Sequence, residues 1–344
     1  MARVLITGGS GYFGSLLLRK LIDRGHECTV LDINDAGDRP KSVDFIQADI
    51  RDDDAVKPSM RDQEFIFHNV AQVPLAKDHN LFDSVNRIGT ENILAGALEN
   101  KIKKVIYTSS SAIFGIPKKN PVTEDTIPFP MEAYGHTKLN GELCCKKYID
   151  QGLDVTIIRP RTILGHGRLG IFQILFEWVY SGFNIPVLGN GDNFYQFVHA
   201  EDLAEACALA SERSGPEIYN CGAAKFGTMR QVLESLCEHA GTGSRVRSIP
   251  MLPAVIAMRA SSALRLSPLG SYHSLMYGQS MYFDIDLARR NLDWNPRFSN
   301  EQMLIESYEY YINNRQEILN DETLTSHHKS ALNQGILKIF DHCI

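Results

Sequence analysis

The stretch that most constrains how this 344-residue chain folds is its beginning, MARVLITGGSGYFG. Arg3 to Thr7 reads as a buried strand. It breaks into Gly8, Gly11 and Gly14, spaced G-x-x-G-x-x-G, and from Tyr12 onward the pattern turns helical, so the glycines fall on a strand-to-helix turn. A dinucleotide pyrophosphate binds at such a turn, because the bend is tight, the backbone can touch phosphate, and helix N-terminal N–H groups face the negative charge. Glycine triplets also serve ordinary turns; the surrounding order of strand, turn, helix and strand gives this one its meaning. Tyr12 and Phe13, at the helix start, join the three glycines as candidate cofactor contacts.

The next strand, His26 to Leu31, ends in Asp32, 24 positions after Gly8. A carboxylate there accepts hydrogen bonds from the adenosine ribose hydroxyls and repels a 2′-phosphate. No Arg follows immediately, so the cofactor expected is NAD rather than NADP.

Composition sets outer limits. With 44% hydrophobic and 22% charged residues and a net charge of −6, the chain reads as globular, with no basic block to suggest nucleic-acid binding. Seven cysteines form no C-x-x-C pair, which argues against a zinc or dithiol site and for reduced thiols. The first strand begins at once, so the sequence predicts no cleaved leader and a cytoplasmic protein. No uncharged apolar run reaches the length of a membrane span. Two stretches come nearest, IFQILFEWVYSGFNIPVL around Glu177 and IPMLPAVIAMRASSALRL around Arg259; both are expected as packed helix, with an apolar lid or membrane-surface helix suited to a lipid alcohol as the alternative for the second.

Strand-like and helix-like segments alternate through the first 160 residues, which predicts an α/β protein with a doubly wound parallel sheet. The NAD-binding domain is expected over residues 1–161, with about 196–222 returning to it. A smaller C-terminal α/β substrate lobe is expected from 162–195 and 223–312, and a tail, with adjacent His327 and His328, over 313–344. Ligands of such sheets lie outside the carboxyl ends of the strands. Asp49 and Ile50 at one strand end are candidates for the adenine. Val70, Ala71 and Gln72 at the next can pass beneath the pyrophosphate and ribose. Asn86 faces that edge from a predicted helix, to brace the strand ends or the cofactor, and Ser109 and Pro160 complete the candidate cofactor contacts.

Two segments carry the chemistry, KKVIYTSSSAIFG and EAYGHTKLNGE. Tyr134 and Lys138 stand four apart on one helix face, and Ser111 sits just past a strand end. A phenol near pKa 10 is a poor base at neutral pH, but an adjacent ammonium and a cationic nicotinamide favour the phenolate. Tyr134 can then take the proton from a substrate hydroxyl as hydride leaves the same carbon. Lys138 is expected to hold the nicotinamide ribose as well, and Ser111 to fix the reacting oxygen.

Taken together, TGGSGYFG, Asp32, ADI, the SSS strand end, YGHTK and VHAEDLAEA resemble the extended short-chain dehydrogenase/reductase superfamily in its NAD-dependent epimerase/dehydratase branch, from residue 1 to about 312. The resemblance implies a Rossmann-type domain with NAD, a substrate lobe, a small-molecule substrate, and a homodimer through a helix bundle containing the Tyr134 helix. It also makes Ser111 the catalytic serine, with Ser109 and Ser110 nearer the cofactor.

The departures narrow the activity. Dehydratases of this branch carry Asp-Glu after the catalytic hydroxyl residue, where this chain has Ala112 and Ile113. Many nucleotide-sugar epimerases read R-x-F-N after the sixth strand and an Arg-Asp pair further on, to hold a diphosphate. Here Thr162 stands at the Asn position, and Tyr195 and Gln196 at the Arg-Asp positions, so Thr162 and Tyr195 become candidate substrate contacts. Arg161, Arg168, His166 and Lys225 are the cations available as replacement charge. The expectation is an epimerase acting at a secondary hydroxyl of an activated sugar. RPxxILG also resembles the 3β-hydroxysteroid dehydrogenase-like branch, which makes a dehydrogenase of a hydrophobic alcohol the first alternative and a non-catalytic NAD-binding protein the second.

Overall fold

The computed structural model describes residues 1–72, 79–251, 256 and 277–320. Through residue 160 strands and helices alternate: β1 (Arg3–Thr7), α1 (Tyr12–Asp23), β2 (Glu27–Asp32), β3 (Asp44–Gln47), α2 (Asp53–Ser59), β4 (Phe65–His68), α3 (His79–Asp83), α4 (Thr90–Glu99), β5 (Lys104–Thr108), α5 (Ala133–Ile149) and β6 (Val155–Pro160). There follow β7 (Thr162–Leu164), α6 (Ile171–Tyr180), β8 (Ile185–Leu188), β9 (Phe194–Tyr195), β10 (Phe197–His199), α7 (Ala200–Ser211), β11 (Glu217–Cys221), β12 (Gly227–Thr228), α8 (Met229–Ala240), β13 (Val246–Ile249), α9 (Asp286–Leu292) and α10 (Asn300–Asn320).

Seven parallel strands make the main sheet, in the order β11-β6-β5-β4-β1-β2-β3. The winding reverses between β1 and β4, which opens a crevice beyond their carboxyl ends. Alternation along β1 assigns the two faces. Val4 and Ile6 pack with Leu17 and Leu21 of α1 and Leu203 of α7, while Leu5 faces Ile93 and Leu94 of α4 and Cys145 of α5. With both faces buried, the strands read as nearly unbroken apolar runs.

The sequence pattern predicts one helix from Leu81 to Asn100. The structure instead joins α3 to α4 through a π-helical turn, Ser84–Gly89. The wider turn carries Asn86, whose side-chain Oδ1 accepts from the N–H of Gln72 at 2.7 Å and whose Nδ2 donates to the carbonyl of Gln72 at 3.1 Å and to Thr137 at 3.1 Å. Such bulges commonly serve to aim one side chain.

The second lobe packs around its own core, which includes Phe176 of α6, Leu236 of α8, and Met303 and Tyr311 of α10. The apolar stretch beginning at Ile171 is helix α6 followed by strand β8. Its one charge, Glu177, accepts from Nε and Nη2 of Arg315 at 2.9 and 2.7 Å. The lobes interleave more than the sequence suggests. Within 196–222, α7 and β11 join the main sheet but β10 pairs with β7. Met281, Phe283, Ala288 and Trp294 lie in the first core, and Trp294 Nε1 donates to the carbonyl of Asp202 at 2.8 Å. Helix α10 continues past residue 312 to Asn320 with Ile318 buried, so 313–320 is packed helix rather than tail. His327, His328 and most of the 249–266 apolar stretch lie outside the described residues. No helix among the described residues is long and apolar enough to cross a membrane.

Candidate active site

The crevice at β1 begins with a contact that admits only glycine. A Cβ on Gly14 would stand 2.0 Å from the carbonyl oxygen of Gly8, so this residue lets α1 start directly against the turn. Gly11 precedes α1 without a side-chain cap, which leaves the first helical N–H groups to meet an anion. Phe13 packs into the first core. Tyr12 donates its hydroxyl to the carbonyl of His166 at 3.2 Å and so ties α1 to the second lobe.

Asp32 ends β2, and its carboxylate accepts from the N–H of Ile33 at 2.8 Å and of Ser10 at 3.1 Å. Burial holds its pKa above the usual carboxylate value, and these backbone N–H groups oppose that shift. A bending turn, an uncapped helix start and a carboxylate at the β2 end together fit NAD. Val70 lies against Gly8, with Ala71 and Gln72 following, and Asn86 braces this strand end through Gln72.

Other strand-end residues are committed elsewhere. Asp49 is held by Arg51, whose Nε lies 3.0 Å from both carboxylate oxygens and lowers its pKa. The Ile50 side chain is in the core with Val56 and Ile93. The hydroxyl of Ser109 donates to Glu142 at 2.6 Å, in a buried pair completed by Arg159 Nε and Nη2 at 2.9 and 2.7 Å. Pro160 ends β6 opposite Cys221 of β11.

Ser111, Tyr134 and Lys138 gather at the end of β5. Ser111 opens a short 3-10 turn, Ser111–Phe114, whose start is capped by the Ser110 hydroxyl accepting from Ala112 N–H at 3.1 Å. Helix α5 is capped by Glu132, which accepts from the N–H groups of Tyr134 and Gly135 at 2.8 and 2.6 Å. A Cβ on Gly135 would meet the Ala112 carbonyl at 2.5 Å, so glycine brings the Tyr134 end of α5 down onto the Ser111 turn. Lys138 is buried, donates to the carbonyl of Thr108 at 2.6 Å, and sits 4.3 Å from the Tyr107 ring centroid. Burial lowers its pKa to about 8.

On the substrate side, Thr162 Oγ1 and Tyr195 Oη bond to each other at 2.9 Å. Gln196 is a brace, donating to the carbonyl of Ala223 and accepting from Phe283 N–H, both at 2.8 Å. Of the four replacement cations, His166 and Lys225 are exposed. Arg161 is buried and its Nη1 donates to Ser111 Oγ at 2.8 Å. Arg168 lies over the Tyr12 ring at 5.4 Å, donates from Nε to the carbonyl of Ile163 at 3.2 Å, and has its pKa lowered to about 10 by burial. Two acidic residues of this site escape a motif reading, Glu132 and Glu142. Glu142 was findable as the next helical step after Tyr134 and Lys138 on α5; Glu132 carries no signal beyond its place before the helix.

Residues 4–222 match the NAD dependent epimerase/dehydratase family. The chain is 51% identical over 341 residues to the uncharacterised protein y4nG of Sinorhizobium fredii, covering 99% of this chain and 86% of that one. It is 31% identical over 218 residues to the human decarboxylating sterol-4-alpha-carboxylate 3-dehydrogenase, covering 61% of this chain and 58% of that enzyme's length. In fold it is similar to Thermotoga maritima UDP-glucose 4-epimerase solved with UDP-glucose, with a TM-score of 0.77 and 24% identity over 91% of this chain and 99% of that one. This chain is an NAD-dependent enzyme of the extended short-chain dehydrogenase/reductase type and belongs to the NAD-dependent epimerase/dehydratase family.

Proposed function

We propose that the protein is an epimerase acting at a secondary hydroxyl of a nucleotide sugar, with Tyr134 as the acid and base. The observation that carries the reading is the convergence of Ser111, Tyr134 and Lys138 at the end of β5, brought about by the approach of Gly135 to Ala112. Ser111 Oγ accepts from Arg161, so its own O–H is free to donate to the reacting oxygen. Tyr134 Oη takes the proton of that hydroxyl and returns it when the resulting ketone is reduced from its other face. Lys138 favours the phenolate and holds the nicotinamide ribose. NAD, when bound, supplies the hydride acceptor and donor. Asp32 selects it over NADP. The site works within a homodimer formed through a helix bundle that includes α5.

Similarity to a UDP-glucose epimerase spans both lobes, which favours the sugar. The sterol relative aligns over a smaller share of the chain and motivates the alternative, net oxidation of a hydrophobic alcohol. The test is incubation with nucleotide sugars followed by chromatography: interconverted epimers without accumulating absorbance at 340 nm are expected. Steady NADH formation with a hydrophobic alcohol, and none of these epimers, would replace the reading with the alternative.

A further inference from the structure

Lys138 carries its charge where no free carboxylate answers it. The residue is 1% exposed, and its ammonium donates to the Thr108 carbonyl at 2.6 Å. Tyr134, one turn back on α5, is the phenol it is placed to serve. Glu142, one turn further along, is bonded to Ser109 and Arg159. Burial pushes the Cys145 thiol of α5 well up, which keeps it neutral. His68 of β4 is neutral too: its Nδ1 lies 2.7 Å from Thr7 Oγ1 and its Nε2 3.0 Å from Thr90 Oγ1, and burial together with Lys138 lowers its pKa to about 3. What remains is the ring of Tyr107 on β5, fully buried, with its centroid 4.3 Å from Lys138 Nζ.

That ring is held in place from two sides. Its centroid lies 5.7 Å from that of the His68 ring. A Cβ on Gly141 would stand 2.1 Å from the Tyr107 hydroxyl oxygen, so glycine lets α5 close directly onto the phenol. Gly141 follows Lys138 by three positions and shares its helix face. An aromatic face attracts a cation through its quadrupole without carrying net charge, and the attraction strengthens when both groups are desolvated. A carboxylate in the same place would bind the ammonium harder and also cancel its field at Tyr134. We propose that Tyr107 is a positioning residue for the reaction, its ring face seating the Lys138 ammonium so that the charge stays available to Tyr134 and to the nicotinamide ribose. The inference rests on the role of Lys138 in the proposed function and not on the sugar. Burial lowers the lysine pKa to about 8, close enough to neutrality that losing the ring would discharge about half of it at pH 7.

The test is a double-mutant cycle in urea unfolding of the full-length protein at pH 7 and pH 10, joined to NAD titration between those values. At pH 7, Tyr107→Leu should lower the folding constant about two- to thirty-fold more in the native background than beside Lys138→Met. At pH 10, where the lysine is neutral, that difference should vanish, and Tyr107→Phe, which keeps the ring face, should not show it at either pH. In the titration, NAD affinity of the native protein should fall as pH rises through the lysine's value. For Tyr107→Leu the fall should begin about one pH unit lower, with Tyr107→Phe following the native curve. Tyr107→Met replaces the Leu variant if that variant does not fold, and folding of either only beside Lys138→Met is itself the expected coupling. A penalty equal in both backgrounds, a difference that persists at pH 10, or an NAD curve that Tyr107→Leu does not move overturns the inference and leaves Lys138 in its proposed role. NAD affinity that Lys138→Met leaves unaltered at every pH removes the lysine from the proposed function, and its seat with it.

Discussion

The two halves of the site treat polar groups in opposite ways. On the cofactor side the polar side chains are already answered within the protein: Asn86 by Gln72 and Thr137, Ser109 by Glu142, Asp49 by Arg51. On the substrate side buried Arg161 and half-buried Arg168 have no carboxylate partner among the described residues, and each keeps at least one unbonded nitrogen. The contrast teaches that the cofactor half is built mainly from backbone and shape, whereas the substrate half keeps enclosed guanidinium nitrogens without a bonding partner.

The largest expected effect probes the residue where the halves meet. Tyr134→Phe should lower turnover by about 10²- to 10⁴-fold while NAD titration shows affinity nearly unchanged; activity close to the native level would remove Tyr134 as the base. Next comes the arginine pair. Arg159→Met leaves Glu142 buried without its partner and should cost about 3–5 kcal/mol in urea unfolding, whereas Arg161→Met removes no ion pair and should cost near nothing or stabilise. Equal losses would dissolve the contrast between paired and unpaired charge.

Lys138 sharpens the comparison, being a cofactor-side charge that donates to the Thr108 carbonyl rather than to a carboxylate. Its folded pKa of about 8 lies below the ordinary 10.5. Between these values the unfolded chain binds more protons, so the stability linked to this group rises with pH across that window and is lowest below about 8. Lys138→Met should therefore stabilise the protein by up to about 3 kcal/mol at pH 7, much less at pH 10, and still abolish turnover. An equal gain at both pH values would contradict a buried charged lysine. The smallest effect is expected of Asp32→Ala, which should weaken NAD by about 1–3 kcal/mol; native protein that bound NADP equally well would show that Asp32 does not select the cofactor.

These differences also explain what could be read from the chain. β1, the glycine turn and α5 depend on local periodicity and short motifs, and they stand where the pattern puts them. Asp49, Ile50 and Ser109 were placed at the correct strand ends, but what their side chains do is decided by Arg51, the core and Glu142, of which a motif says nothing. The return of Met281 to Trp294 into the first core is a long-range event without a local signature. Arg161 was visible as one of four candidate cations; that its Nε and Nη2 are buried without a partner became visible only in three dimensions.

The most direct test of the central claim is to denature freshly purified protein and quantify the nicotinamide released and its redox state. An enzyme that recycles its cofactor in place predicts close to one NAD(H) per chain, predominantly NAD. A protein that emerges empty, binds added NAD only reversibly and turns it over to NADH in step with product would contradict the epimerase account.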